Sequence, residues 1–220
     1  LGHEMNNSLA PIKSLAGNSY QVDDAPDRDD AARAADVLLD VFADFPFSGP
    51  TDRAAIVAML LAAVGQSAYS GPTPLHWIDA NTPGTGKSLL VDAVSRIANG
   101  KKAARSPYIE DDDEQRKKIT SHAMAGDTFI LIDNAPTGAR FGWPSLDAAL
   151  TGDVWEDRIL GRSENVRLPF RALFVITGNN LGIQHDAARR TLRIRLEAVD
   201  ENPERRTGFR HSPLLPWVEA

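Results

Sequence analysis

Eight consecutive residues, Asn81-Thr82-Pro83-Gly84-Thr85-Gly86-Lys87-Ser88, constrain this chain more than any other segment. A short apolar stretch, Leu75-His76-Trp77-Ile78-Asp79, precedes them, and a run with helical character, Leu89 to Ala98, follows. Strand, glycine-rich turn, Lys-Ser and helix form the context in which a phosphate-binding loop (P-loop) works. Gly84 and Gly86 let successive backbone N–H groups face one anion. The helix N-terminus around Leu89 adds partial positive charge. In such a loop Lys87 reaches the terminal phosphates and the Ser88 hydroxyl ligates Mg²⁺. Asn81 stands where the usual pattern has its first glycine. Asparagine tolerates positive φ better than most residues, which is how the loop is expected to survive the change.

The rest of the composition narrows the setting. The chain has 220 residues, 42% of them hydrophobic and 25% charged, which suits one α/β domain with a small appendage. Without cysteine it has no disulfide, no Cys-ligated zinc and no thiol chemistry. No apolar run is long enough to span a bilayer. No leader-like segment opens the sequence, so no membrane contact and a cytoplasmic location are expected. The formal net charge of −6 means that any nucleic-acid contact must come from a local basic patch.

Four segments are expected: 1–19, a helical region 20–70, an α/β core 71–198 and a tail 199–220. The acidic stretch around Asp23–Asp30 reads as a solvated linker and helix start. Helical spacing runs from Asp30 to Phe45 and stops at Pro46. Thr51 or Asp52 is expected to cap a second helix ending near Ala68. Asn99-Gly100 ends the helix after the octet, and a short strand is expected near Ala103–Ser106. Glu110-Asp111-Asp112-Asp113-Glu114 opens a further helix, acid first as the helix dipole favours. Thr128–Asp133 and Ala172–Thr177 are continuous apolar runs typical of parallel strands buried on both faces. Leu146–Leu150 is expected to be a short helix, and Leu192–Leu196 a last strand.

Polar residues follow these strands: Lys87 and Ser88 after the first, then Asp133, then Asn179. Ligands in open parallel sheets gather at the carboxyl ends of strands, so these residues are expected to converge on one nucleotide. Asp133 would then hold Mg²⁺, and Asn179 would position the attacking water.

With these motifs in place the chain resembles the AAA+ ATPases. Within them it is similar to the superfamily 3-type helicase modules of phage and plasmid primase-helicases. The resemblance covers about residues 75–197. It rests on Asn81–Ser88, Phe129–Asn134, Leu150-Thr151-Gly152-Asp153, Ile176-Thr177-Gly178-Asn179-Asn180 and Asp186-Ala187-Ala188-Arg189-Arg190. It implies a three-layer P-loop sandwich with a five-stranded parallel sheet, here expected to carry an N-terminal helical layer and, as a departure from the family, a truncated C-terminal lid. It also implies ATP and Mg²⁺ as cofactors, assembly into a ring, commonly a hexamer, and work on single-stranded DNA in the replication of a mobile element. In that family an arginine from a neighbouring subunit reaches the γ-phosphate; Arg189 or Arg190 is the matching position. A hairpin before the third polar strand end grips DNA, which points to Arg158, Arg162 and Arg167 about a turn at Gly161. One departure stands out. Asn134 follows Asp133 where most members carry an acid, and an amide cannot act as a base. Either one of the acids from Glu110 to Glu114 replaces it, or the chain is a nucleotide-dependent switch with little hydrolysis.

A second resemblance conflicts with the first. Leu1-Gly2-His3-Glu4-Met5-Asn6-Asn7 is similar to the H-box of sensor histidine kinases. That likeness makes His3 a phosphoacceptor, with Glu4 as its proton acceptor and Asn7 in support. It covers only about 19 residues, and the alternative it implies is a histidine-kinase fragment.

Overall fold

The computed structural model describes residues 25–66, 68, 71–158 and 164–219. His3 with the H-box-like segment 1–19, and Arg162 with the turn about Gly161, lie outside the described residues. The chain divides into two compact units, residues 1–37 and 38–220. In the first, the described part begins helix α1 (Arg28–Asp40). The Asp27 carboxylate accepts from the N–H groups of Asp30 at 2.9 Å and Asp29 at 2.8 Å. Those two bonds hold its carboxyl below the usual carboxylate range. Asp27 to Asp30 therefore form a helix start.

The second unit continues with α2 (Pro50–Gly65), β1 (Leu75–Ala80), α3 (Lys87–Asn99), β2 (Ala104–Pro107), α4 (Asp112–Ala125) and β3 (Phe129–Ala135). Then come β4 (Arg140–Phe141), α5 (Pro144–Thr151), β5 (Val154–Arg158), β6 (Asn165–Pro169) and β7 (Leu173–Asn179). The last elements are β8 (Gly182–Ile183), a 3₁₀ turn (His185–Arg190), β9 (Thr191–Leu196) and α6 (Leu214–Glu219). Five strands pair in parallel in the order β2-β3-β7-β1-β9.

Alternation along β1 sends Ile78 and Ala80 to one face of the sheet, Leu75 and Trp77 to the other. The first face packs against α2 and α3 through Ile56, Met59, Leu90 and Val94. The second packs against α4 and α5 through Ile119, Leu146 and Leu150. The central strands are covered on both sides, which is why β3 and β7 read as unbroken apolar runs. No described helix is long and apolar enough to cross a membrane.

The structure corrects several local expectations. Helix α1 ends at Asp40, and turns carry the chain to Phe45. Neither Thr51 nor Asp52 caps α2; Gly49 takes that place and Pro50 starts the helix. Asp52 is used elsewhere, accepting the Arg195 N–H at 2.7 Å. Ser48 N–H donates to the Arg195 carbonyl at 3.0 Å, and Phe47 bridges Leu196. Together these contacts cover the outer edge of β9, which would otherwise expose unpaired backbone groups. The expected hairpin is present as β5 and β6, paired antiparallel from Val154 opposite Pro169 to Arg158 opposite Asn165.

Candidate functional site

The octet leaves β1 and delivers Lys87 to the first turn of α3. Gly84 and Gly86 both sit at positive φ, 78° and 85°, and Gly86 is the N-cap of α3. That geometry suits glycine and turns backbone donors toward one point. Parallel pairing sets Ala80 level with Asn179 on β7. Lys87 Nζ accordingly donates to Asn179 Oδ1 at 2.8 Å, with Thr85 Oγ1 farther off at 3.4 Å. Ser88 Oγ donates to Asp133 Oδ1 at 2.7 Å. Four residues up to 92 positions apart in sequence thus meet at the carboxyl ends of three neighbouring strands. Burial pushes the Lys87 ammonium below its ordinary range, while the charges of Asp79 and Asp133 pull it back up. The Ser88 hydroxyl beside the Asp133 carboxylate is a hard-oxygen pair suited to Mg²⁺.

Asn81 works differently from the sequence expectation. The described non-glycine residues at positive φ are Asn134 and Asn180, so Asn81 is not left-handed. Its side-chain amide instead clasps the backbone of Ala198, donating to the carbonyl at 2.9 Å and accepting from the N–H at 3.1 Å. The octet is also walled in. A Cβ on Gly84 would lie 2.6 Å from the Glu204 carboxylate, and one on Gly86 would lie 3.1 Å from the Phe45 ring.

Asn134 has a backbone reason for being asparagine. It sits at φ 56°, where the β3–β7 register shifts between Ile132 and Ala135. Its N–H donates to Thr177 Oγ1 at 3.0 Å, and that hydroxyl donates on to Asp133 Oδ1 at 2.8 Å. A left-handed bulge position favours Asn or Gly over Glu. Of the acids from Glu110 to Glu114, four are engaged. Asp111 caps α4 by accepting the Glu114 N–H, and Asp112 accepts the Ser145 N–H. Asp113 and Glu114 pair with Arg116 and Lys117. Glu110 is exposed and lies three residues past Pro107, the β2 residue paired with Asp133.

Sequence reasoning missed two charged groups beside the site. Asp79, buried on β1, binds Arg193 at 2.9 Å and Arg195 at 2.6 Å, both on β9. Arg193 also lies over the Trp77 ring at 4.9 Å. Arg105 on β2 bridges Asp133 and Asp92, the latter at 2.8 Å. The legible signal was Asp92 itself, one helical turn beyond Ser88 on the same face.

The arginine pair lies at the other end of the sheet. Thr191, just after Arg190, is level with Leu75, the first residue of β1. Five strand residues, about 17 Å, separate that edge from the start of the octet. Arg190 pairs with Asp147 of α5 at 3.4 Å, and Arg189 is exposed against Asp186 at 2.5 Å. Neither serves the octet of its own chain. Arg158 and Arg167 share the exposed face of the β5–β6 hairpin, with Glu156 opposite Arg167. The hairpin is pinned from its other face. Trp155 Nε1 donates to Thr120 Oγ1 at 2.9 Å, and Asp157 accepts from Thr120 at 2.5 Å and pairs with Arg116 at 3.1 Å.

No protein-family model matches the chain, and no curated protein matches it. Among solved structures it is similar to the C-terminal region (CTR) of NrS-1 in its A-form apo structure. There the TM-score is 0.54 and the identity 16%, over 85% of this chain and 42% of that one. A second A-form apo structure of the same region gives a TM-score of 0.49 and 18% identity, over 84% of this chain and 40% of the other. The first likeness establishes a shared fold. The chain spans less than half the length of these structures.

Proposed function

We propose that this chain is the ATP-binding module of an AAA+ helicase or translocase of the superfamily 3 type, acting in replication of a mobile element. The observation that carries the reading is the meeting of Lys87, Ser88, Asp133 and Asn179 at one end of a parallel sheet. Lys87 would leave Asn179 for the terminal phosphates, and the freed Asn179 carbonyl would orient water. Ser88 and Asp133 would hold Mg²⁺, which supplies charge neutralisation on the phosphates. Arg189 and Arg190, remote from their own octet, would act on a neighbouring subunit in a ring. Arg158 and Arg167 would contact phosphates of single-stranded DNA. Glu110 is the acid of the 110–114 run best placed to stand in for the base that Asn134 is not.

A specific observation favours a second reading, a nucleotide switch with little hydrolysis: the residue after Asp133 is an amide, Asn134, held by its backbone in a left-handed bulge. Steady-state ATPase with and without single-stranded DNA separates the two. DNA-stimulated turnover is expected for the translocase. Tight ATP binding without turnover would replace it with the switch.

A further inference from the structure

Three protein donors already hold the Asp133 carboxylate. Ser88 and Thr177 hydroxyls donate to Oδ1, and an Arg105 N–H donates to Oδ2. Oδ1 already accepts two donors, so a divalent cation approaches through Oδ2, the oxygen it would share with Arg105. The hydroxyls are neutral and can turn to offer a lone pair to the metal, but a guanidinium has no acceptor and its charge repels the cation. Arg105 is therefore the donor that a cation on Oδ2 would drive away.

The structure also holds a place for it to go. Arg105 already donates to Asp92 Oδ2 at 2.8 Å, through the other terminal nitrogen. Asp92 lies on α3, its side chain only 5% exposed. Its second oxygen, Oδ1, is buried with no hydrogen-bond partner among the described residues. A buried carboxylate oxygen without a donor is unfavourable, and a fork-to-fork arginine pair would satisfy it.

We propose that Arg105 is a cation gate on the metal-binding carboxylate. It bridges Asp133 and Asp92 when no metal is bound, and moves onto both oxygens of Asp92 when a divalent cation takes Asp133. This rests on reading Ser88 and Asp133 as the metal-holding pair. Arg105 thereby makes cation binding depend on nucleotide phosphates, which add ligands and the energy to displace it. The transfer breaks one charged hydrogen bond and forms another, so no net proton moves.

The test uses the full chain with Mn²⁺ as probe, titrated by electron paramagnetic resonance in the absence of nucleotide. Arg105→Gln is expected to tighten Mn²⁺ binding by about 5–150-fold, the usual range for coupled sites. Arg105→Lys keeps a cation that cannot fork across two carboxylates, and is expected to tighten it less. Asp92→Asn removes the charged destination, fixes Arg105 on Asp133 and is expected to weaken Mn²⁺ binding. A merely structural role would move all three variants the same way, and that result, or unchanged affinity in the folded Arg105 variants, overturns the proposal. Nucleotide binding, measured separately on wild type, decides the P-loop reading. Loss of that reading leaves the Arg105 comparison intact, because the comparison needs no nucleotide.

Discussion

His76 offers a quantitative test of how tightly β1, the strand that delivers the octet, is buried. It is fully enclosed, and neither ring nitrogen makes a full hydrogen bond among the described residues. Burial lowers its pKa from 6.5 to about 4, with only the nearby Pro74 backbone favouring the charged form. The unfolded chain therefore takes up a proton first as pH falls. Stability is unaffected well above about pH 6.5, falls between about 6.5 and 4, and is fully reduced below that window. Integrating the linkage from about pH 7.5 to about pH 5 gives a loss of about 2 kcal/mol from this one group. Stopping near pH 5 keeps most carboxylates out of the comparison. The assay is urea unfolding at both pH values, followed by tryptophan fluorescence, for wild type and His76→Phe. The phenyl ring keeps a planar ring at the site and has nothing to protonate, so the variant should lose about 2 kcal/mol less than wild type over this interval. Equal losses in the two proteins would refute the argument.

Three further outcomes follow from the site. Asn134→Ala should cost about 1–2 kcal/mol by forcing a left-handed alanine while Asn134→Gly stays near wild type, so equal melting of the two would remove the bulge explanation. Replacing Arg158 and Arg167 with alanine should weaken single-stranded DNA binding and flatten its salt slope by about 0.7 per lost phosphate contact; identical slopes would make them a solvated surface. Arg190→Ala should spare ATP binding but stop turnover in an assembled ring. Mixing it with Lys87→Ala should restore some turnover at shared interfaces, and no restoration in a demonstrated mixed ring would argue against action between subunits.

The sheet was legible because its central strands are buried on both faces. Phe129–Ile132 and Leu173–Ile176 leave no other economical fold once a Gly-rich turn and a helix follow β1. Lys87, Ser88, Asp133 and Asn179 were legible for the same reason, since parallel pairing brings strand ends together. What the sequence hid depends on register and turns. Thr177 reaches Asp133 because β3 and β7 pair Ile132 with Ile176, one residue earlier on each strand. The amide of Asn81 was read for its φ, whereas it is used for its two hydrogen bonds to Ala198. Arg105 gave no signal by itself, since its meaning comes from Pro107 pairing with Asp133 across the sheet. The Asp79–Arg193–Arg195 cluster joins residues more than a hundred positions apart, and no local pattern marks it.

The central claim is that the octet cradles a nucleotide through Lys87 and holds its metal through Asp133. Calorimetric titration of a non-hydrolysable ATP analogue, with and without Mg²⁺, tests it in wild type, Lys87→Ala and Asp133→Ala. Wild type should bind more tightly with Mg²⁺. Lys87→Ala should lose about tenfold or more in affinity, the worth of one charged hydrogen bond, and Asp133→Ala should lose the Mg²⁺ dependence. Binding of the analogue by Lys87→Ala with wild-type affinity and wild-type Mg²⁺ dependence would contradict the account.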